Sequence, residues 1–164
     1  MMGRRIEFLH MLQNEVAVST IFSRHEINCI PWQLVAEFYR TVTAEDKAYS
    51  RELHLPMKWM DLAVVDALPY MYYLQYLIFR TTGLISDKDI AFKNLQTAIF
   101  RVQNDHIDTS LNLIGHCYEL EGNLPKAWRV YKFSVELKSK NNAAYWHMFR
   151  MIGGLINGLR MLSW

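Results

Sequence analysis

The chain carries six histidines, the side chains that proteins most often use to bind transition metals. A zinc site on a helix typically places two histidines four residues apart, as in the H-E-x-x-H pattern. No pair of histidines in this sequence has that spacing. We therefore predict neither a metal site nor a cofactor, and expect each histidine to lie on a helix surface or to be hydrogen-bonded within the fold. The six are His10, His25, His54, His106, His116 and His147.

Two other arrangements have the right residue types for catalysis, and both are incomplete. His116 and Cys117 would be a base and a nucleophile, but adjacent residues of a helix point in different directions and rarely share a proton. The acidic pairs, residues 45–46 and residues 119 and 121, lack a partner set and a glycine-rich loop that would cradle phosphate. We expect these carboxylates to cap or solvate helices. The sequence therefore predicts that the protein is not an enzyme.

Composition and charge restrict the classes of partner. With 164 residues, of which 51% are hydrophobic, the chain is long enough to bury one sizeable core. Lysine and arginine number 18 against 16 aspartate and glutamate residues, so the formal net charge of +2 produces no strong field for nucleic acid or anionic lipid. We expect the basic residues 4–5 and 138–140 to be solvated helix ends. No nucleic-acid partner is predicted.

The cysteines and the apolar segments indicate in which cellular compartment the protein is expected. Cys29 and Cys117 are too few for a disulfide framework and suit a reducing, cytoplasmic environment. The first residues lack the continuous apolar core of a secretion signal. The most apolar stretch, residues 67–79, is broken by Pro69 and Gln75 and is shorter than the roughly 20 residues that cross a bilayer. We interpret it as a buried helix and expect no membrane partner.

Near the C-terminal end, two apolar stripes predict a helical hairpin. The first comprises Leu111, Ile114 and Tyr118, and the second comprises Ala127, Tyr131 and Ser134. Each stripe recurs every three or four residues, as one face of a helix does. Gly115 lies inside the first stripe, where glycine costs roughly 1 kcal/mol relative to alanine, so we expect close helix–helix approach to compensate. A turn at residues 121–123 separates the two helices. Pro125 lies in the first turn of the second helix, a position that tolerates proline.

This hairpin resembles the tetratricopeptide repeat, a unit of about 34 residues with a large residue, Leu-Gly, an aromatic, Ala and Phe in register. The large residue of the repeat is usually Trp, and the unit ends with Pro. With Asp108 as the first position, residues 114–115 match the Leu-Gly pair, but Leu111 stands in place of the Trp and Ser139 in place of the Pro. The resemblance implies an all-α fold, with antiparallel helical hairpins stacked as a short tetratricopeptide-like α-solenoid. The long apolar segments have helical periodicity, so we also predict strand content near zero.

Imperfect copies of the pattern occur on both sides of this hairpin. Upstream, the second stripe is repeated by Ala91, Leu95 and Ala98, and the first by Leu74 and Leu77 if the turn at residues 81–83 is one residue longer. Ser86, followed three residues later by Asp89, marks a helix start. Downstream, Asn142 opens a third unit whose stripe would be Tyr145, Met148 and Ile152, with Phe149 in the small position. We expect the helix from Met148 to Trp164 to cap the stack or to join two copies as a homodimer.

In tetratricopeptide proteins the first helices of successive repeats line a groove, and the resemblance implies a corresponding set here. The partner-binding residues carried over are Tyr72, Gln75, Phe79, Thr109, Asn112, His116, Glu119, Trp146 and Arg150. We predict a non-catalytic protein–protein interaction module that binds a peptide or partner helix in this groove. Asn112 stands where a carboxylate clamp has lysine, so chaperone C-terminal tails are not the expected ligands. The alternative is that Phe79, Trp146, Asn112 and His116 are simply core.

The sequence divides into N-terminal helices at residues 1–55 and the repeat domain at residues 56–164. Residues 6–16 predict an amphipathic helix, and a second begins at Pro31 with a stripe of Trp32, Val35 and Phe38. Residues 57–67, between two prolines, predict a further helix. Its side chains that would face the repeats are Trp59, Met60, Ala63 and Val64.

A second resemblance covers the stretch from Pro56 to His147. The segments that carry it are residues 70–77, 106–112 and 141–147, which are similar to the helical C-terminal region of invertebrate proteins of the male-abnormal, cGAS-like nucleotidyltransferase-fold family. That resemblance implies a C-terminal fragment or remnant of an innate-immune sensor whose catalytic core would precede this region. No Gly-Ser pair is present, so no catalytic residue is carried over.

Overall fold

The computed structural model describes residues 19–39, 62–101 and 106–156, most of which are helical. The strands are β1 (Ser19–Ser23) and β2 (Leu62–Asp66), and two 3-10 helices span Arg24–Cys29 and Ala36–Tyr39. The α-helices are α1 (Trp32–Val35), α2 (Ala67–Thr82), α3 (Ile85–Arg101), α4 (Ile107–Leu120), α5 (Leu124–Leu137) and α6 (Ala144–Ile156). The predicted helix at residues 6–16 lies outside the described residues.

The small antiparallel sheet contradicts the prediction of near-zero strand content. β1 pairs with β2 in the register Ser19↔Asp66 to Ser23↔Leu62. In β2 the side chains of Ala63 and Val65 are buried and those of Leu62 and Val64 are only partly buried, which is the alternation of a strand. The predicted helix over residues 57–67 is therefore wrong at Leu62–Asp66, while residues 57–61, with Trp59 and Met60, lie outside the described residues.

The hairpins predicted from the stripes are confirmed. α2 packs against α3 and α4 packs against α5, and α4 also contacts both α2 and α3. Gly83 and Gly122 provide the turns with φ of +76° and +72°, a left-handed conformation that favours glycine. The central and upstream stripe residues that are buried are Ala91, Leu95, Ala98, Leu111, Ile114, Ala127, Tyr131 and Ser134. Local periodicity was sufficient here because each stripe packs against a neighbour in sequence.

The third unit has the predicted helix, but a different face is buried. α6 buries Ala144, His147 and Met151, whereas Tyr145 and Ile152 are 50% and 41% exposed. The expected stripe is therefore wrong at Tyr145 and Ile152, whereas Met148 is partly buried and packs against the core cluster as expected. The side chain of Asn142 accepts a hydrogen bond from the backbone N–H of Ala144 over 2.8 Å, so this residue does open the unit.

The N-terminal segment at residues 30–38 lies in the same core as the hairpins. Ile30, Leu34 and Phe38 belong to one buried cluster with residues of β2, α2, α3 and α4. The helix predicted to start at Pro31 is present, but it is short and continues as a 3-10 helix. Trp32, expected on its buried face, is 43% exposed, because Gln33 and Leu34 face the core instead.

Candidate functional site

The structure separates the predicted partner-binding residues by accessibility. Thr109 and Asn112 are buried, and the Glu119 side chain is only 5% exposed. Tyr72, Gln75, Phe79, His116 and Arg150 are partly buried, and Trp146 is 44% exposed. The core alternative is therefore correct for Asn112 and wrong for Trp146. In this arrangement a partner cannot contact the side chains of Thr109 and Asn112.

The N-terminal segment bonds to Asn112, one of the residues expected to line the groove, and to Tyr131 and His147, which were not expected there. Asn112 on α4 donates its side-chain N–H to Oε1 of Glu37 over 3.1 Å, and both residues are buried. One turn earlier in the segment, the Gln33 amide donates to the hydroxyl of Tyr131 over 3.0 Å, and its nitrogen lies 3.0 Å from Nε2 of His147. This face of α4, α5 and α6 therefore already holds a polypeptide segment of the chain itself.

Glu119 links α4, α5 and α6 below that segment. The hydroxyl of Tyr131 donates to Oε1 of Glu119 over 2.5 Å, and Nη2 of Arg150 lies 2.6 Å from Oε2. Both carboxylate oxygens thus have a partner in a buried setting, where charge-assisted hydrogen bonds are strong. The expectation that Glu119 caps or solvates a helix is wrong, because both of its oxygens bond to side chains of neighbouring helices.

His116 and Cys117 face different surroundings, as expected for adjacent helix residues. Nδ1 of His116 lies 2.7 Å from the hydroxyl of Tyr73 on α2. Burial, with the positive charges of Arg150 and Arg80, lowers the pKa of His116 to about 3. Cys117 is buried in the core, and burial raises the pKa of its thiol. A base this weak and a thiol this protonated do not form a catalytic pair near neutral pH.

His147 is a second buried, neutral imidazole. Its ring stacks on Tyr131 with centroids 5.1 Å apart and planes at 24°. Burial, the charge of Arg150 and the neighbouring His116 lower the pKa of His147 well below the usual value. Burial and the nearby Glu119 raise the pKa of Tyr131. The groups therefore remain uncharged near neutral pH, which suits a hydrogen-bonded core and is consistent with the expectation of hydrogen-bonded histidines.

Two other polar groups fix the hairpins. The Asn142 amide donates to the Ser134 carbonyl and to the Lys138 carbonyl, each over 3.0 Å, and its oxygen lies 3.4 Å from Nδ2 of Asn112. At the other end of α4, Glu121 accepts from Tyr76 over 2.7 Å and from Lys88 over 2.9 Å. These contacts tie α4 to its neighbours on both sides.

No family model, curated protein or solved structure matches this chain. The tetratricopeptide and male-abnormal family resemblances therefore rest on the quoted residues alone. Among the residues that the structure describes, no three histidine, cysteine, aspartate or glutamate side chains are grouped to hold a metal ion. No helix within the described ranges is both long and apolar enough to cross a membrane.

Sequence reasoning missed Gln33, Glu37 and His147 as members of this polar cluster. Gln33 and Glu37 are four residues apart in a segment whose other members, Leu34 and Phe38, are buried. Polar residues at helical spacing inside an apolar segment are a weak signal, because a solvated face has the same appearance. The contacts join residues separated by 98 and 114 positions, and nothing local identifies such partners.

Proposed function

We propose that this chain is a non-catalytic protein-binding module, built from helical hairpins that stack in the manner of a short tetratricopeptide-like α-solenoid. The inner face of the hairpins supports the proposal, because it already holds a polypeptide segment. Gln33 and Glu37 of that segment bond to side chains of α4, α5 and α6, and Leu34 is buried beside them. Amide, carboxylate and aromatic contacts of this kind are how helical grooves recognise peptides.

The surface that we assign to a partner is the accessible part of the predicted set. Tyr72 and Gln75 on α2 and Arg150 and Trp146 on α6 retain exposed surface, whereas Asn112 lies beneath the N-terminal segment. The partner is a protein or peptide. Both cysteines are free, which supports the cytoplasmic location that we propose.

Affinity capture with the full chain as bait tests the proposal. The test variant carries Tyr72→Ala and Gln75→Ala, and the control carries Lys132→Ala at a side chain 63% exposed on α5. We expect at least one captured protein to fall by about tenfold with the test variant and to persist with the control, because truncating a central aromatic anchor often costs 1–2 kcal/mol or more. Equal recovery of every captured protein with both variants would remove this assignment. Thermal melts of both variants establish that the loss is not unfolding.

A further inference from the structure

One face of α6 is apolar, aromatic and open to solvent. Tyr145, Trp146, Phe149 and Ile152 are 50%, 44%, 70% and 41% exposed, while the opposite face packs on the core through Ala144 and Met151. None of the four is charged, and the neighbouring Arg150 is directed to Glu119. Exposed apolar patches with aromatic side chains usually mark a contact with another protein.

Gly153 on the same helix supports a close contact. A Cβ at this position would meet no atom within 4 Å among the described residues. Glycine inside a helix costs roughly 1 kcal/mol relative to alanine, and at Gly115 the packing of Tyr131 compensates for that cost. The described fold offers no such compensation at Gly153. A second helix approaching this face would supply it.

The face is symmetric about Phe149. Successive residues of a helix are rotated by about 100°, so Tyr145 and Gly153 lie about 40° to either side of Phe149, and Trp146 and Ile152 lie about 60° to either side. An identical antiparallel helix, related by a two-fold axis through Phe149, therefore places Tyr145 opposite Gly153 of the second copy. It also places Trp146 opposite Ile152 of the second copy. The Tyr145 contact repeats the large-on-small pairing of Tyr131 with Gly115.

We propose that the chain forms a two-fold symmetric homodimer through this face, with α6 packed antiparallel to α6 of a second copy. Given about 150–250 Å² for each aromatic side chain, a similar size for Ile152, and the exposed fractions above, the four side chains would bury at most about 900 Å² in total from both copies. Specific interfaces near about 1,000 Å² are weak, so the dimer is reversible, with a Kd in the micromolar range.

This inference names one partner of the proposed binding module. Trp146 belongs to both surfaces, but the tested residues differ: Phe149 and Gly153 lie outside the predicted groove, and Tyr72 and Gln75 lie on α2. The two proposals can therefore fail separately. Loss of the dimer leaves the capture experiment at Tyr72 and Gln75 unaffected.

Sedimentation velocity of the full chain, from about 1 μM to about 100 μM, tests the dimer. We expect the mass to rise with concentration from 19.4 kDa toward twice that value. Phe149→Glu should remain monomeric throughout, because it places two carboxylates together on the axis. Ile78→Glu is the matched control: that isoleucine is 57% exposed on α2, and its replacement should leave dimerisation unchanged.

Gly153→Leu gives a second readout that does not introduce charge. In the free chain a Cβ at this position meets no atom within 4 Å, so the fold is expected to persist, but the leucine would occupy the position of Tyr145 of the second copy. We expect the dimer to weaken by about tenfold or more. A wild-type chain that stays monomeric at every concentration would overturn the proposal. A dimer that both Phe149→Glu and Gly153→Leu leave intact would place the contact elsewhere and overturn it equally.

Discussion

Gly115 on α4 lies directly against the ring of Tyr131 on α5. A Cβ added at Gly115 would lie 2.5 Å from Cε1 of that ring, closer than non-bonded carbon atoms can approach. The ring cannot easily move, because Tyr131 is fully buried and its hydroxyl is bonded to Glu119 and Gln33. The absence of a side chain at residue 115 therefore sets the distance between the two helices of the central hairpin.

Replacing Gly115 with leucine should destabilise the fold by about 1–3 kcal/mol or more, since overpacking displaces Tyr131 and its hydrogen bonds. Urea denaturation measures the free energy of unfolding. Gly153→Ala is the control, measured at about 1 μM where the chain is expected to be monomeric, because in the single chain that position has open space and alanine favours a helix by up to about 1 kcal/mol. An unchanged unfolding curve for Gly115→Leu would contradict the close packing.

Asn142→Asp should cost about 2–3 kcal/mol, because the change removes the donors to the Ser134 and Lys138 carbonyls and places a charge in a buried site. Asn123→Asp is the matched control. Its side chain serves α5 only as an acceptor, from the backbone N–H of Lys126, and aspartate keeps that cap. Chemical denaturation of both variants measures the difference. Equal stabilities would show that the Asn142 donors contribute little.

Asn112→Ala should lower stability rather than partner binding. The amide is buried and donates a hydrogen bond to Glu37. Its removal leaves the buried carboxylate with one hydrogen bond fewer, which should lower the free energy of unfolding by about 1–3 kcal/mol. This reverses the expectation for a groove residue, which could be truncated without affecting the fold. Gln75→Ala, at a partly exposed amide on α2, is the control and should melt close to wild type. A wild-type melting temperature for Asn112→Ala would indicate that the bond to Glu37 is dispensable.

The buried histidines predict acid sensitivity. The pKa values of His116 and His147 are lowered in the folded state, to about 3 for His116. The unfolded chain, with histidine pKa values near 6.5, therefore binds protons first as the pH falls. Their contribution to stability is present above about pH 6.5 and is lost as the pH falls below it. For His116, with a folded pKa of about 3, the loss between pH 7 and pH 5 is about 2 kcal/mol.

Denaturation at pH 7 and pH 5 measures this loss. His116→Gln should reduce the difference between the two pH values, because glutamine does not titrate. His25→Gln is the control at an exposed histidine and should preserve the wild-type difference. A wild-type chain that is equally stable at both pH values would show that the histidines are not buried in neutral form.

The helices were predictable where packing partners are close in sequence. The Gly115 and Tyr131 pairing, the first turn at Pro125 and the glycine turn at residue 122 follow from local rules for close approach, capping and left-handed backbone. β2 was misjudged, since Ala63 and Val64 suit a short helix as well as a strand until Ile21 and Phe22 pair with them. Single-sequence periodicity cannot reveal a strand partner that lies some 40 residues away.

By itself, the sequence determined the helical hairpins of α2 to α5, because propensity, turn chemistry and apolar spacing act within a few residues. Only the tertiary structure decided which polar residues are accessible. Asn112 and Trp146 are both predicted to line a groove, yet Asn112 is buried beneath Glu37 and Trp146 is exposed to solvent. Asn112 is buried because a segment about 75 residues earlier in the chain packs over it. That packing depends on the combined burial of Ile30, Leu34 and Phe38, which no local sequence pattern predicts.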